Sequence, residues 1–231
     1  MKAKGFTLVE IAIVLVIIGL LLGGILKGQE MITQAKIKNV VADFSGISAA
    51  YYGYQDRYRA IPGDDSNAVT RWATAVPALP ATPATGAYGN GIVSGGYATA
   101  TAGEEARLFW QHLRLSGFVA GTGDTQPFNA VTGMLGVQTG DAVVAGVGPT
   151  LLSAALAAGG NGFVGLIVCS AGLPDKIAIA VDTQMDDGTP NTGTVRALLQ
   201  TAPNPAIGAA QVATAAYAET STNIYTLCRS L

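Results

Sequence analysis

The sequence carries little charge for its length. Only 12% of its 231 residues are Asp, Glu, Lys or Arg, whereas 49% are hydrophobic. This balance excludes an intrinsically disordered chain, because such chains are poor in apolar residues and rich in charge. The 13 basic and 15 acidic side chains are dispersed, with a formal net charge of -2. Without a basic patch, the sequence gives no indication of a nucleic-acid partner.

Groups that commonly perform catalysis are also scarce. His112 is the only histidine, and no Cys or carboxylate stands four residues from it to form a metal pair or a catalytic couple. The sequence contains no nucleophile elbow, zinc-protease, phosphate-loop or dinucleotide-binding motif. We therefore expect a protein that is not an enzyme, with His112 at the surface of a helix or half-buried there.

One segment is far more apolar than the rest. Residues 6–26 form a run of 21 in which Glu10 is the only charged side chain. As a helix the run spans about 31 Å, which is one hydrocarbon core. A secretory signal peptide would have a shorter apolar region, roughly 7 to 15 residues, ending at a small-residue cleavage site. Neither feature is found, so the run predicts a membrane-spanning helix. Lys2 and Lys4 favour a cytoplasmic position for the residues before it.

Glu10 is an anomaly within this span. A carboxylate at a membrane centre costs about 2.5–3.5 kcal/mol on insertion scales, so such residues usually have a partner or a task. A short basic leader and then Gly5-Phe6-Thr7-Leu8-Val9 precede it. This arrangement resembles the cleavage and methylation signature of type IV prepilins and type II secretion pseudopilins, with Gly, Phe and Glu at fixed offsets before an unbroken apolar run. The resemblance covers about residues 1–58.

The resemblance implies how the N-terminus is processed and used. A prepilin peptidase is expected to cut between Gly5 and Phe6, to remove residues 1–5 as a leader, and to methylate Phe6. Glu10 is expected to act in assembly, because a neighbouring subunit's Glu10 would lie at nearly the same depth as the new amine on Phe6. The two charges can then pair inside a helical bundle.

These expectations define a function and its partners. The chain is expected to be a structural subunit of a type IV pilus or a type II secretion pseudopilus, polymerised through its N-terminal helix. Its partners would be identical or related pilin subunits, prepilin peptidase, and the inner membrane with its assembly platform. It would be a single-pass protein of the bacterial inner membrane with a periplasmic C-terminal domain, and later part of an extracellular or periplasmic filament. The alternative is a periplasmic enzyme or binding protein tethered by one span.

Beyond the apolar run, apolar residues recur at alternating steps of three and four. That spacing places them on one face of a helix, and they are Ile37, Val40, Phe44, Ile47, Tyr51, Tyr54 and Tyr58. The pattern predicts an amphipathic continuation of the helix over residues 27–58. This continuation would pack on a globular domain formed by residues 59–231.

The globular part shows shorter patterns. We expect helices over residues 103–116 and 149–158, a long loop over 73–103, and strands over 163–168, 177–181 and 194–198, with a turn at 171–175 between the first two strands. Together these patterns predict an α+β fold. A long N-terminal helix would pack on an antiparallel β-sheet, followed by a loop-rich C-terminal region.

Two features of the last third suggest specific sites. Cys169 and Cys228 are the only cysteines, and an even count after an export-type segment favours a disulfide in an oxidising compartment. Two buried free thiols are the alternative. In pilins a disulfide often bounds the variable C-terminal region, and this pair looks similar.

The second feature is a cluster of carboxylates at Asp182, Asp186 and Asp187. Oxygen-rich loops of this kind can hold Ca²⁺, although the spacing differs from that of an EF-hand. Some pseudopilins bind calcium in a C-terminal loop, so the family resemblance also favours a calcium site here. An exposed acidic hairpin turn is the alternative, and no other cofactor is expected.

Overall fold

The computed structural model describes residues 7–72, 89–139, 163, 165–205, 207 and 216–231. Its elements are α1 (Leu8–Tyr58), α2 (Ala68–Arg71), α3 (Glu105–Leu115), β1 (Leu135–Thr139), β2 (Leu166–Pro174), α4 (Asp175–Met185), β3 (Val195–Leu199) and β4 (Ile224–Ser230). The fold is α+β, as predicted. The long helix α1 packs on a four-stranded antiparallel sheet with the strand order β1-β2-β4-β3.

Helix α1 is continuous over 51 residues. Its predicted apolar face is confirmed, because the following residues are buried: Ile37, Val40, Phe44, Ile47, Ala50, Tyr51 and Tyr54. Packing begins at Ile37 rather than at residue 27, since Met31 and Ile32 are still 66% and 58% exposed. The N-terminal half of the helix therefore projects beyond its own domain.

The sheet is covered on both faces. One face meets α1, α3 and α4 in the main core, which includes Val168 of β2. The opposite face carries a second, smaller cluster that includes Ile167 and Cys169 of the same strand. Successive side chains of a strand point to opposite faces. Strand β2 is thus buried along most of its length and consists largely of apolar residues, as expected for a strand covered on both sides.

The strand predicted over residues 177–181 is wrong, because this segment belongs to helix α4. Ile177, Ala178 and Val181 are buried at helical spacing. Residues 177–181 alternate β-branched residues with alanine, which is typical of a strand, but alanine is also the most favourable residue in a helix. Pro174 immediately before the helix and the acidic Asp175 in its first turn are both typical of a helix N-terminus.

The turn predicted at residues 171–175 is also wrong. Strand β2 continues to Pro174, with an irregularity in its pairing to β4 between Ser170 and Leu173. Gly172 adopts a φ of +73° within this irregularity. A glycine at a β-bulge produces the same local signal as a glycine in a turn.

Other local predictions have mixed outcomes. Helix α3 and strand β3 confirm the elements predicted over 103–116 and 194–198. Strand β2 starts at Leu166, later than the predicted start at residue 163. Strands β1 and β4 were not predicted. The helix predicted over 149–158 and the first part of the predicted loop, residues 73–88, lie outside the described residues.

Two buried carboxylates fix the end of α1 to the body. Asp64 accepts hydrogen bonds from the three backbone N–H groups of residues 89–91, at 2.5–3.3 Å. Asp65 accepts from the Tyr54 hydroxyl at 2.7 Å and pairs with Arg71 at 2.6 Å. Buried carboxylates are tolerated when donors satisfy them in this way. The junction therefore couples the helix to the loop that follows it.

His112 belongs to the same junction and is only 2% exposed, so the expected surface or half-buried position is wrong. Its Nδ1 accepts a hydrogen bond from the Gly63 N–H at 2.9 Å. Its ring stacks on Tyr54, with 6.2 Å between the ring centroids. These partners are remote in sequence, so no local pattern around His112 could show them. Burial lowers the pKa of His112 to about 4.

The lowered pKa of His112 predicts a pH dependence of stability. The unfolded chain has a histidine pKa of about 6.5, so it binds the proton more readily than the folded state. The contribution of neutral His112 is complete above about pH 6.5 and is lost as the pH falls towards 4. At about 1.36 kcal/mol per pKa unit, the loss is roughly 3 kcal/mol at pH 4.

Urea unfolding of the wild type and of His112→Gln at pH 7.5, 5.5 and 4.5 measures this loss. The glutamine amide oxygen can accept the Gly63 N–H, and it does not titrate. Because all other titratable groups are shared, the difference between the two proteins isolates His112. The free energy of unfolding of the variant should fall less steeply with decreasing pH. Parallel pH profiles for the two proteins would contradict the prediction.

Candidate functional site

The first turn of α1 is built around Thr7 and Glu10. The backbone N–H and the hydroxyl of Thr7 each donate to Glu10 Oε2 at 2.8 Å. In return, the Glu10 N–H donates to Thr7 Oγ1 at 3.3 Å. This capping box satisfies N–H groups that the helix itself leaves unpaired. Glu10 Oε1 makes no hydrogen bond to any described residue, so one carboxylate oxygen is held and the other is presented outwards.

The rest of the N-terminal half of α1 is apolar and exposed. The exposed fraction of its large side chains runs from 46% at Ile18 to 85% at Leu8. The helix is long and apolar enough to cross a membrane, with a mean hydropathy of 2.8 in its most apolar 18-residue window. No residue of that window is buried. This half of the helix is therefore not part of the domain core and requires an apolar environment from outside.

Comparison with known proteins agrees with these features. Residues 1–26 match the family model described as the prokaryotic N-terminal methylation motif. No curated protein and no solved structure matches the chain. The motif is the signature of type IV pilins and pseudopilins. The chain thus carries the N-terminal signal of a pilin-like substrate of prepilin peptidase.

The motif also indicates where the protein is anchored and that it is a structural protein. Together with the apolar helix, it fits an anchor in the inner membrane. It points to a structural protein of the pilin type. The predicted processing residues Gly5 and Phe6 lie outside the described residues, so the cleavage point between them stays a prediction.

The predicted disulfide is confirmed. Cys169 and Cys228 are bridged, and neither is a free thiol. They face each other on the two central strands, β2 and β4, with their Cα atoms 4.0 Å apart. The bridge closes a loop with a sequence separation of 59 residues. The chain-entropy model assigns a loop of this length about 4 kcal/mol of stabilisation.

The three clustered carboxylates lie at the C-terminal end of α4. Asp182 is in the last turn of the helix, and Asp186 and Asp187 follow it. The segment is thus a helix end leading towards β3, and the alternative of an acidic hairpin turn is wrong. One oxygen from each residue lies within 4.8 Å of the others. The structure therefore brings together the three residues that the sequence suggested.

Several of these carboxylate oxygens already accept hydrogen bonds from described residues. Asp186 Oδ2 accepts from two backbone N–H groups at the start of β3, including that of Val195 at 2.9 Å. Asp187 accepts from the backbone and the hydroxyl of nearby threonines. Asp182 Oδ2 accepts from the Tyr217 hydroxyl at 2.6 Å. Asp182 Oδ1 is buried and has no hydrogen-bond partner among the described residues.

The electrostatic environment of Asp182 follows from its burial. Its pKa is raised, first by desolvation and then by the nearby charges of Asp187 and Asp186, while the Tyr217 hydroxyl and the Gly188 backbone N–H oppose the shift. The raised pKa means that the groups around Asp182 do not fully compensate the negative charge of its carboxylate. An oxygen-binding cation such as Ca²⁺ would suit these ligand atoms and would supply that compensation.

Sequence reasoning missed two contacts of these sites. The pattern Thr-x-x-Glu at Thr7 and Glu10 is a recognisable capping-box signal, so the role of Thr7 was accessible from the sequence. The contact of Tyr217 with Asp182 was not, because the two residues are 35 positions apart and no local pattern links them.

Proposed function

We propose that this chain is the structural subunit of a filament, either a type IV pilus or a type II secretion pseudopilus. The observation that carries the proposal is the N-terminal methylation motif on a helix whose apolar half is exposed. Such a half-helix needs lipid around it before assembly and other apolar helices around it afterwards. A filament of packed helices provides the second environment, which a monomer in water lacks.

The proposed organisation follows the predicted segments. Residues 1–5 form the leader, residues 6–26 the membrane and filament-core segment, residues 27–58 the continuation of the helix, and residues 59–231 the globular domain. The globular domain resides in the periplasm before assembly, where an oxidising environment permits the Cys169–Cys228 bridge. Its role is structural rather than enzymatic, and its partners are identical or related subunits, the peptidase and the assembly platform.

Glu10 is the proposed partner of a neighbouring subunit's N-terminal amine. Processing after Gly5 would create that amine on Phe6. Thr7 holds Glu10 Oε2 in the capping box, while Oε1 has no described partner. A charge-assisted hydrogen bond from the amine to Oε1 would compensate both groups in an apolar bundle, where neither charge is tolerated alone.

Processing is the first test of this proposal. Co-expression with a prepilin peptidase should shorten the chain by the five residues MKAKG and add a methyl group to Phe6. Replacement of Gly5 by leucine should leave the leader attached, because the bulkier side chain obstructs cleavage. Mass spectrometry of the N-terminus measures both results. A wild-type chain that keeps its leader beside an active peptidase would favour the tethered enzyme or binding protein.

Assembly tests the role of Glu10. Glu10→Val should insert into the membrane and be processed, but its yield in sheared filaments should fall at least about tenfold, because the neighbour's buried amine loses its partner. Glu10→Gln keeps the shape and the Thr7 contact but lacks the charge, and it should also assemble poorly. Glu30→Val, at an exposed position of the same helix, is the matched control. Normal filament yields from Glu10→Val would remove the proposed pairing.

We further propose that Asp182, Asp186 and Asp187 hold Ca²⁺. Support comes from the spacing of their oxygens and from the buried, unpartnered Asp182 Oδ1. Calorimetric titration of the full-length chain with Ca²⁺ should show binding at pH 7.5. Binding should weaken at pH 5, because protonation of Asp182, whose pKa is raised, competes with the cation.

Two variants make the calcium titration specific. Asp182→Asn should abolish binding, whereas Asp56→Asn, at an exposed position on α1, should leave it unchanged. Equal heats from Asp182→Asn and the wild type would show that the cluster is only a set of loop hydrogen bonds. No heat from the wild type would lead to the same conclusion.

A further inference from the structure

A cleft of about 520 Å³ opens at one end of the sheet. Its walls are the loop at residues 131–133, the irregularity of β2 at Gly172, the segment 199–204 at the end of β3, and residues 222–224 at the start of β4. The volume falls within the range of roughly 300–1,000 Å³ that is typical of sites for small ligands. None of the residues discussed above as processing, assembly or metal residues lines it.

The described lining of the cleft contains no charged side chain. Its polar groups are hydroxyls and amides, contributed by Thr132, Thr201, Thr222, Gln200, Asn204 and Asn223. Asp175 contacts this part of the chain, but it is only 2% exposed. Its oxygens accept the N–H groups of Lys176 and Ser221. The cleft therefore favours a neutral ligand, because a charged one would lose hydration without gaining a counter-charge.

Apolar side chains complete the surface of the cleft. Leu199 and Ile224 both line it and are 39% and 44% exposed, which is unusual in the globular part of the chain. An aliphatic surface beside hydroxyls and amides is complementary to sugar rings, which present C–H faces and hydroxyl edges.

The backbone around the cleft is conformationally unusual. Four non-glycine residues in the described chain have positive φ, and one of them is the C-cap of α1. The other three are Thr132 at 67°, Asn204 at 45° and Ser221 at 63°. Thr132 and Asn204 line the cleft, and Ser221 directly precedes its wall residue Thr222. Such conformations concentrate at ligand sites, where the surrounding structure maintains them.

Hydrogen bonds hold the walls together. Gln200 Oε1 accepts the Gly172 N–H at 2.6 Å and joins two walls. Asn204 Oδ1 accepts the Met134 N–H at 3.2 Å, which ties the segment 199–204 to the residue directly after the wall loop at 131–133. These bonds tie segments from different parts of the chain around one space. The cleft is thus formed before any ligand arrives, which reduces the entropy that binding must overcome.

The sheet edges argue against an extended peptide as the occupant. On β3, the outward N–H of Val195 donates to Asp186, and that of Ala197 donates to the Pro190 carbonyl at 2.8 Å. On β1, the Leu135 N–H donates to the Pro127 carbonyl at 2.9 Å. A peptide that binds by adding a strand needs such groups free. Recognition in the cleft must therefore come mainly from side-chain hydroxyls and amides.

We propose that this cleft binds a neutral saccharide, with a ring face on Leu199 and Ile224 and hydroxyls bonded to Thr201, Thr222 and Asn223. This ligand site is additional to the filament role and does not depend on it. Nothing about the N-terminal helix is required for sugar binding, and a chain that fails to polymerise should still bind.

Calorimetry on the full-length chain tests the proposal. The chain is held in a detergent without a sugar headgroup, so that the detergent does not compete. The probes are neutral trisaccharides of glucose, galactose and N-acetylglucosamine, with a sialylated trisaccharide and an uncharged tripeptide for comparison. At least one neutral trisaccharide should bind, and more tightly than either comparison probe.

Three variants locate the site. Ala202→Trp places a large ring in the cleft from an exposed position and should weaken binding at least about tenfold, by steric exclusion. Ala100→Trp adds the same ring at an exposed position outside the cleft and should bind as the wild type does. Thr201→Val removes one hydroxyl that has no described partner, and it should weaken binding by about threefold to tenfold. It provides a second readout if the tryptophan disturbs folding.

Each contrary result overturns the proposal. Absence of binding by every neutral trisaccharide would show that the cleft is not a saccharide site. Wild-type affinity in both Ala202→Trp and Thr201→Val would place any binding elsewhere. Preference for the sialylated sugar would contradict the neutrality argument, and preference for the tripeptide would assign the cleft to a peptide. Because filament formation is not measured, none of these outcomes bears on the filament proposal.

Discussion

Burial of one face of α1 against the sheet and the shorter helices is the interaction on which the rest of the structure depends. Val40, Phe44 and Tyr54 are almost fully inaccessible and lie in the same cluster as residues of α3, α4 and all four strands. Phe44 and Tyr54 alone remove large aromatic surfaces from water, which is a major favourable contribution to folding. Without this helix, only α3 and α4 would remain to cover the inner face of the sheet.

The same helix continues outside the body, and this continuity joins two different environments. From Ile37 onwards its buried face belongs to a protein core, whereas residues 8–25 of the helix are unburied and, apart from Glu10, largely apolar. The carboxylates Asp64 and Asp65 fasten the inner end through donors on neighbouring segments. The outer half and the packed half thus belong to one unbroken helix over Leu8–Tyr58.

The N-terminal features could be predicted from sequence because each is local. The span, the motif and the face that carries Val40 and Phe44 are all repeats or fixed offsets within one continuous helix. The body was harder, since its elements are defined by partners far along the chain. The segment at Ile177 satisfies both a strand and a helix pattern, and its packing in the domain decides between them. Gly172 indicated a turn although β2 passes through it.

The functional sites show the same difference between local features and features that depend on distant partners. Cys169 and Cys228 were paired correctly because only one pairing exists for two cysteines. The three carboxylates near Asp182 were grouped by their proximity in sequence, but the buried contact with Tyr217 was not visible there. The cleft beside Leu199 brings together four separate segments, and it could not be predicted from any one of them. Long-range contacts of this kind are the part of a site that a single sequence does not encode in a readable pattern.

The disulfide between the two central strands also has a mechanical consequence. It joins Cys169 to Cys228, three residues before the final residue Leu231. If the chain is pulled between its N-terminal helix and its C-terminus, the tension passes through the S–S bond and bypasses the 59-residue separation it closes. At about 3.4 Å per extended residue, roughly 200 Å of contour length is withheld from extension. Under load, therefore, the segment between Cys169 and Cys228 can lose its packing without adding to the extension of the chain.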